Sequence, residues 1–198
     1  MLYFVIIGAC WLAISAVNSL CFQENFLSVL LVCGGVILAS VIIDAIVAAF
    51  CRLLPKRCVP YGGKIFQVSK KEKLFYEKIG IRKWKDKIPE IGQLTGFRKT
   101  KIEEPKSVEY VERFLLECRY GEVGHCCSCI IGFLVLSFIP FLPTYGISVT
   151  LPVAIVNVLL NLPSLFILRY NSYKLNQLYQ SNLKRQARIA SKWRDCPP

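Results

Sequence analysis

What most limits the folds open to this chain is the placement of its cations. All 25 Lys and Arg lie in two blocks, 18 from Arg52 to Arg119 and 7 from Arg169 to Arg194, and residues 1–51 and 120–168 hold none. A helix crosses a bilayer core in about 20 apolar residues, so each cation-free zone has room for two crossings. The chain is 54% hydrophobic with a mean hydropathy of +0.45, yet its net charge is +12. That is too apolar for an ordinary soluble domain and too charged for an unbroken membrane core. The expectation is an all-α integral membrane protein with four transmembrane helices, over about 1–20, 26–54, 126–145 and 147–168. Gln23-Glu24-Asn25 separates the first two, and Pro140, Pro143, Thr144 and Gly146 mark the turn between the last two. Cytoplasmic segments of membrane proteins are enriched in Lys and Arg. The loop 55–125, the tail 169–198 and both termini are therefore expected in the cytoplasm, with both short hairpins outside the cell membrane. The first span lacks a basic n-region, and Leu20 is too bulky for a cleavage site, so a retained helix is expected rather than a signal peptide. Topology accounts for the positive charge, and no nucleic-acid partner is implied.

The loop 55–125 is too long to be a simple connector. Ser69-Lys70-Lys71-Glu72 is a capping box and Gly80 a helix stop, which predicts a helix over 70–79. Leu74, Phe75 and Ile79 share one side of it. Ile81, Trp84 and Ile88 continue the apolar theme among lysines and arginines, up to Pro89 and Gly92. Basic amphipathic stretches of this kind lie in the membrane interface. Ser107 can cap a further helix, with Val108, Val111, Phe114, Leu115 and Cys118 on its apolar face.

That helix runs into Glu117-Cys118-Arg119-Tyr120-Gly121-Glu122-Val123-Gly124-His125, which contains the only histidine. Residues three apart on a helix are neighbours, so Arg119, Glu122 and His125 form one column if the helix persists. Asp44 is the only acidic residue inside the second span, about 12 Å below Arg52 at 1.5 Å per residue. An ionisable group at that depth is expensive and needs a polar partner; Asn161 and Arg169 are the ones expected. Asp44 either orients a base or a cation, or is a carboxylate satisfied for packing. Asn161-Leu162-Pro163 breaks the fourth span, because proline removes a helical hydrogen bond; the polar, basic tail beyond it is expected to be a fraying surface helix. The ten cysteines include Cys126-Cys127-Ser128-Cys129, but there is no second Cys-x-x-Cys to pair with Cys126 and Cys129 and no second histidine. Soft apolar packing explains them better than a metal.

Three segments together carry a resemblance: Ile81 to Glu90; then Phe114, Glu117, Arg119, Glu122 and His125; then Asn161 and Pro163 followed by Arg169-Tyr170-Asn171. In this order, over roughly residues 50–175, they resemble the glycosyl-4,4'-diaponeurosporenoate acyltransferase family, small bacterial membrane enzymes that acylate the sugar of a carotenoid glycolipid. The resemblance implies an acyl thioester (acyl-CoA or acyl carrier protein) as co-substrate, with no resident cofactor, a glycolipid acceptor, and membrane lipids as surroundings. Such chemistry needs a base at the hydroxyl, an orienter for the base, and a cation or dipole for the oxyanion. His125 is the candidate base, Glu122 or Glu117 its orienter, and Arg119 the group for the oxyanion or a donor phosphate, with Arg169 as second choice. Asp44, Trp84, Asn161, Arg169 and Asn171 are the candidates for substrate binding. Direct attack by the hydroxyl needs no enzyme nucleophile, while Cys126 or Cys127 leaves an acyl-cysteine route open. Two other classes remain at this point: a small lipid or isoprenyl-cysteine methyltransferase, and a non-enzymatic scaffold or transporter subunit in which the polar column only ends a helix.

Overall fold

In the computed structural model the described residues are 2–59, 63–88 and 102–195. They are helical, with no strand among them. The stop expected at Pro89 and Gly92 lies outside these residues. Four helices are long and apolar enough to cross a membrane. The first two are α1 (Leu2–Phe22) and α2 (Phe26–Leu53). They part where expected: Gln23 turns through a left-handed φ of 54°, and Asn25 caps α2 by accepting from the amides of Leu27 and Ser28 at 2.9 and 3.3 Å.

After two single-turn 3₁₀ segments, Lys56–Cys58 and Lys64–Phe66, comes α3 (Lys70–Lys78). Ser69 Oγ accepts from the Glu72 amide at 3.1 Å, and the Glu72 carboxylate takes the Ser69 backbone N–H in return, so both halves of the capping box form. Gly80 stops the helix with a φ of 71°, a conformation costly for any residue with a Cβ. The four-residue α4 (Ile81–Trp84) follows. Leu74, Phe75 and Ile79 are exposed as an interfacial face requires, but Ile81 is fully buried and belongs to the interior.

Helix α5 (Val108–Ile131) starts at Ser107, whose Oγ accepts from the Tyr110 amide at 3.1 Å. Val108, Val111, Phe114, Leu115 and Cys118 are all buried, as the periodicity predicts. A tighter 3₁₀ coil, Gly132–Phe141, extends the third apolar stretch through Pro140. Helix α6 then runs from Gly146 to Asp195 without interruption, through both Pro152 and Pro163. The break expected at Asn161-Leu162-Pro163 is therefore absent, and the tail is not a separate surface helix but the continuation of α6. A proline removes one intrahelical hydrogen bond, and the remaining backbone bonds, obligatory in an apolar setting, carry the helix past it.

The chain divides into two compact units. The first takes in residues 2–54, 87–88 and 123–165. Its core is Val29, Cys33 and Val36 of α2 with Val135 and, around α6, Tyr145, Val149, Val153 and Ala154. The second takes in 55–59, 63–86, 102–122 and 166–195. Its core sets the apolar face of α5 against Leu168, Leu175 and Tyr179 of α6. Here Gly121 lets the two helices approach, since a Cβ on it would lie 2.8 Å from Leu168 Cδ1.

Candidate functional site

In the first unit, polar side chains meet among apolar helices. Asp44 projects from α2, His125 from α5, and Asn157 and Asn161, one turn apart, from α6. Asn161 Nδ2 donates towards Asp44 Oδ2 at 3.1 Å, and Asn157 O and Oδ1 lie 3.0 and 2.9 Å from the same nitrogen. Asn157 Nδ2 reaches Asp44 Oδ1 and the Ser128 carbonyl, both at 3.3 Å. Of the two partners expected for Asp44, Asn161 is present and Asn157 joins it, whereas Arg169 pairs with Glu72 and Glu122 instead. The carboxylate is held by two neutral amides, and among the described residues it has no ion pair.

The orientation of Asn161 decides the state of His125. Three acceptors, two of them oxygens that cannot donate, surround its Nδ2. The amide nitrogen must face them, so Asn161 Oδ1 faces His125 Nδ1 at 2.8 Å. An amide oxygen only accepts, so Nδ1 carries the hydrogen, and in the neutral ring the lone pair sits on Nε2. An imidazole fixed in one tautomer, backed through an amide by a carboxylate, is equipped to take a proton and to hold the resulting cation.

A second polar group belongs to the other unit. Arg169 Nη2 donates to Glu72 Oε2 at 3.0 Å and its Nε to Oε1, a bidentate fork, while Nη1 reaches the Ile65 carbonyl at 3.0 Å and Glu122 Oε2 at 3.3 Å. Ser172 Oγ donates to the other oxygen of the buried Glu122 at 2.6 Å. The hydrogen bond from Arg169 holds the Glu72 carboxyl below its ordinary value. Burial first, then the neighbouring Glu72 charge, raises the phenol of Tyr76, whose hydroxyl donates to Glu72 at 2.7 Å. Paired, bidentate geometry of this kind makes Arg169 a clamp joining α3, α5 and α6.

The residues singled out in the sequence therefore fall into two groups. His125, Asn161 and Asp44 share one hydrogen-bonded chain. Glu122 has Ser172 and Arg169 as partners, and the Nδ1 orienter of His125 is Asn161. Arg119 is buried, its guanidinium 5.6 Å from the Phe66 ring centre and 3.5 Å from the Val59 carbonyl. Trp84 closes a local turn by donating Nε1 to the Ile79 carbonyl at 3.2 Å. Glu117 and Asn171 are half-buried. The sequence reading passed over Asn157, although an Asn-x-x-x-Asn pair on one face of an apolar span is a signal in itself. It read Glu72 only as a cap, since its long-range partner Arg169 is 97 positions away.

The family model described as glycosyl-4,4'-diaponeurosporenoate acyltransferase matches residues 62–181, 120 of the 198 positions. His125, Asn157 and Asn161 lie within the matched stretch, and Asp44 precedes it. No curated protein and no solved structure matches the chain.

Proposed function

The chain belongs to the glycosyl-4,4'-diaponeurosporenoate acyltransferase family, and we propose that it transfers a fatty acyl group from a thioester to a sugar hydroxyl of a glycolipid, a carotenoid glycoside or a relative of one, at the cytoplasmic face of the cell membrane. The acyl donor in this reading is acyl-CoA or acyl carrier protein. The observation that carries it is the hydrogen-bonded chain Asp44–Asn161–His125. Acyl transfer to an alcohol needs a base at the hydroxyl, and this chain presents the Nε2 lone pair of the only imidazole in the protein.

In the proposed sequence, Nε2 removes the hydroxyl proton as the alkoxide oxygen attacks the thioester carbon. The imidazolium so formed is stabilised by the Asp44 charge acting through the Asn161 amide. Collapse of the tetrahedral intermediate breaks the carbon–sulfur bond, and the departing thiolate receives the proton from Nε2. Direct attack accounts for every proton, so no acyl-cysteine on Cys126 or Cys127 is invoked. The membrane setting and the placement of the basic segments in the cytoplasm are supported by the four apolar helices and by the confinement of Lys and Arg to two blocks.

The test is acyl transfer by protein reconstituted in lipid, with acyl-CoA and a glycosylated lipid as substrates and mass spectrometry of the product. The wild type should form an ester on the sugar, His125→Ala should not, and Asn161→Leu should be slowed. A well-folded His125→Ala variant that transfers at the normal rate would refute the assignment of the base. Lipids unchanged when the protein is expressed in a host lacking it would refute the activity.

A further inference from the structure

The proposed acyl transfer needs one group that the chain Asp44–Asn161–His125 does not supply. As the sugar oxygen bonds to the thioester carbon, negative charge collects on the former carbonyl oxygen, and a preorganised donor aimed at that oxygen is usually the largest single contribution to such catalysis. The arginines considered for it in the sequence are engaged in the second unit, Arg169 on Glu72 and Glu122, Arg119 against the Phe66 ring and near the Val59 carbonyl. The donor has to come from the helices that hold His125.

The first unit offers one. Asn157, Asn161 and Ser164 stand at i, i+4 and i+7 of α6 and so share one face. Asn157 and Asn161 are buried and bind Asp44 and His125. Ser164 is half-buried and lies five positions before Arg169, where the cations resume. Tyr3, in the first turn of α1, meets it there, with the two hydroxyl oxygens 3.1 Å apart. Two hydroxyls carry two hydrogens, and the bond between them uses one. Neither oxygen has a further partner among the described residues, so one O–H hydrogen remains to be donated elsewhere. Tyrosine is a common anchor at membrane interfaces, but an anchoring phenol faces head groups and water, whereas this one is held on the α6 face that carries Asn161.

The spacing suits the task. Side chains three apart on a helix have Cβ atoms about 5–6 Å apart, which puts Ser164 one turn from the amide that fixes His125. A base and an oxyanion donor serving one tetrahedral carbon each stand about 3 Å from their own oxygen. Those two oxygens are bonded to the same carbon, so the two protein groups belong roughly a helical turn or a little more apart. A phenol is more acidic than an aliphatic alcohol and is the stronger donor of the two.

We propose that Tyr3 donates its O–H to the oxyanion of the acyl-transfer intermediate, and that Ser164 donates to the Tyr3 oxygen and holds the phenol in place. This rests on the acyl-transfer reading. No proton leaves Tyr3. The oxygen–carbon bond forms, the carbonyl electron pair moves onto oxygen and meets the phenolic hydrogen, and the carbonyl reforms as the carbon–sulfur bond breaks. Tyr3 is thereby a catalytic residue and Ser164 a positioning residue.

The experiment is steady-state acyl transfer by the full-length protein in lipid, with acyl-CoA and a glycosylated lipid, alongside thermal melting. Tyr3→Phe keeps the ring and removes only the donor; it should lower kcat about 10²–10³-fold, with KM and melting temperature little changed. Ser164→Ala should show a smaller loss of kcat, because Tyr3 keeps its hydrogen, and Ser164→Thr, which restores a hydroxyl, should recover most of it. A folded Tyr3→Phe variant as fast as an active wild type would overturn this inference and leave the acyl-transfer reading standing. Lowered melting with kcat retained by the folded protein would do the same, since it marks a tie between helices with no part in the chemistry. Where Tyr3→Phe does not fold, the serine variants decide, and equal kcat in Ser164→Ala and Ser164→Thr overturns the inference. A wild type that forms no ester on the sugar overturns the acyl-transfer reading, and this inference with it.

Discussion

Replacing Gly132 by alanine tests the polar chain through a residue that has no chemistry of its own. A Cβ at this position would lie 2.2 Å from Asn157 Nδ2 and 3.3 Å from its Cγ. The Asn157 amide must therefore rotate away, giving up its bonds to Asp44 Oδ1 and the Ser128 carbonyl. Side-chain hydrogen bonds within membrane helices contribute about 0.6 kcal/mol on average and up to about 1.7, so the two together are worth about 1–3 kcal/mol. Alanine returns about 0.5–1 kcal/mol by removing a helical glycine. The expected net loss is about 0.5–2 kcal/mol, or a few degrees of melting temperature at about 2–4 °C per kcal/mol for a chain of this size. The assay is thermal melting in detergent, run as a double-mutant cycle with Asn157→Ala. In that background the obstructing amide is already gone, so Gly132→Ala should cost nothing or stabilise slightly. The coupling should reach about 1 kcal/mol, well beyond the scatter of independent sites. Equal losses in both backgrounds, or no loss in the wild type, would refute the placement of Asn157. Acyl transfer should fall in parallel, because Asp44 would retain only one of its two amide donors.

His125→Ala should lower kcat by about 10²–10⁴ with little change in melting, and His125→Gln, which cannot take up a proton, should fail equally; purified variants assayed side by side decide this. Asn161→Leu should fall between wild type and His125→Ala in rate and should shift the pH profile of transfer, because the ring loses the partner that fixes its tautomer. Glu72 has a lowered folded-state pKa from its Arg169 hydrogen bond. Its contribution to stability is therefore present above the ordinary value of 4.5 and is lost as pH falls through the folded value. Glu72→Gln should melt below wild type at neutral pH, and the two curves should converge on acidification below 4.5. Parallel curves at every pH would sink that account. With the exposed native cysteines replaced by serine, Gln23→Cys and Thr144→Cys should label from outside the cell and Lys71→Cys should not. The opposite pattern would reverse the proposed topology.

Much of the architecture was legible in the chain because it follows from local physics. Cations are excluded from a bilayer interior, so their two blocks mark the four apolar helices without reference to any partner residue. Ser69, Glu72 and Gly80 set the limits of α3, and Asn25 and Ser107 start α2 and α5, because caps act within one turn of the chain. Burial of Val108, Val111, Phe114, Leu115 and Cys118 followed from helical spacing alone. His125 and Asp44 stood out for the same kind of reason, one as the only imidazole and the other as a lone carboxylate in an apolar span. Tertiary structure decided what those side chains touch. Whether Glu122 or Asn161 orients His125 depends on contacts 36 positions apart in sequence, and no periodicity distinguishes them. That Arg169 clamps Glu72 and Glu122, and that Asn157 and Gly132 meet, are likewise products of helices packed from distant segments. The persistence of α6 through Pro163 was set by its surroundings too: in an apolar environment unwinding would strand several backbone groups to relieve one missing bond, so the helix continues.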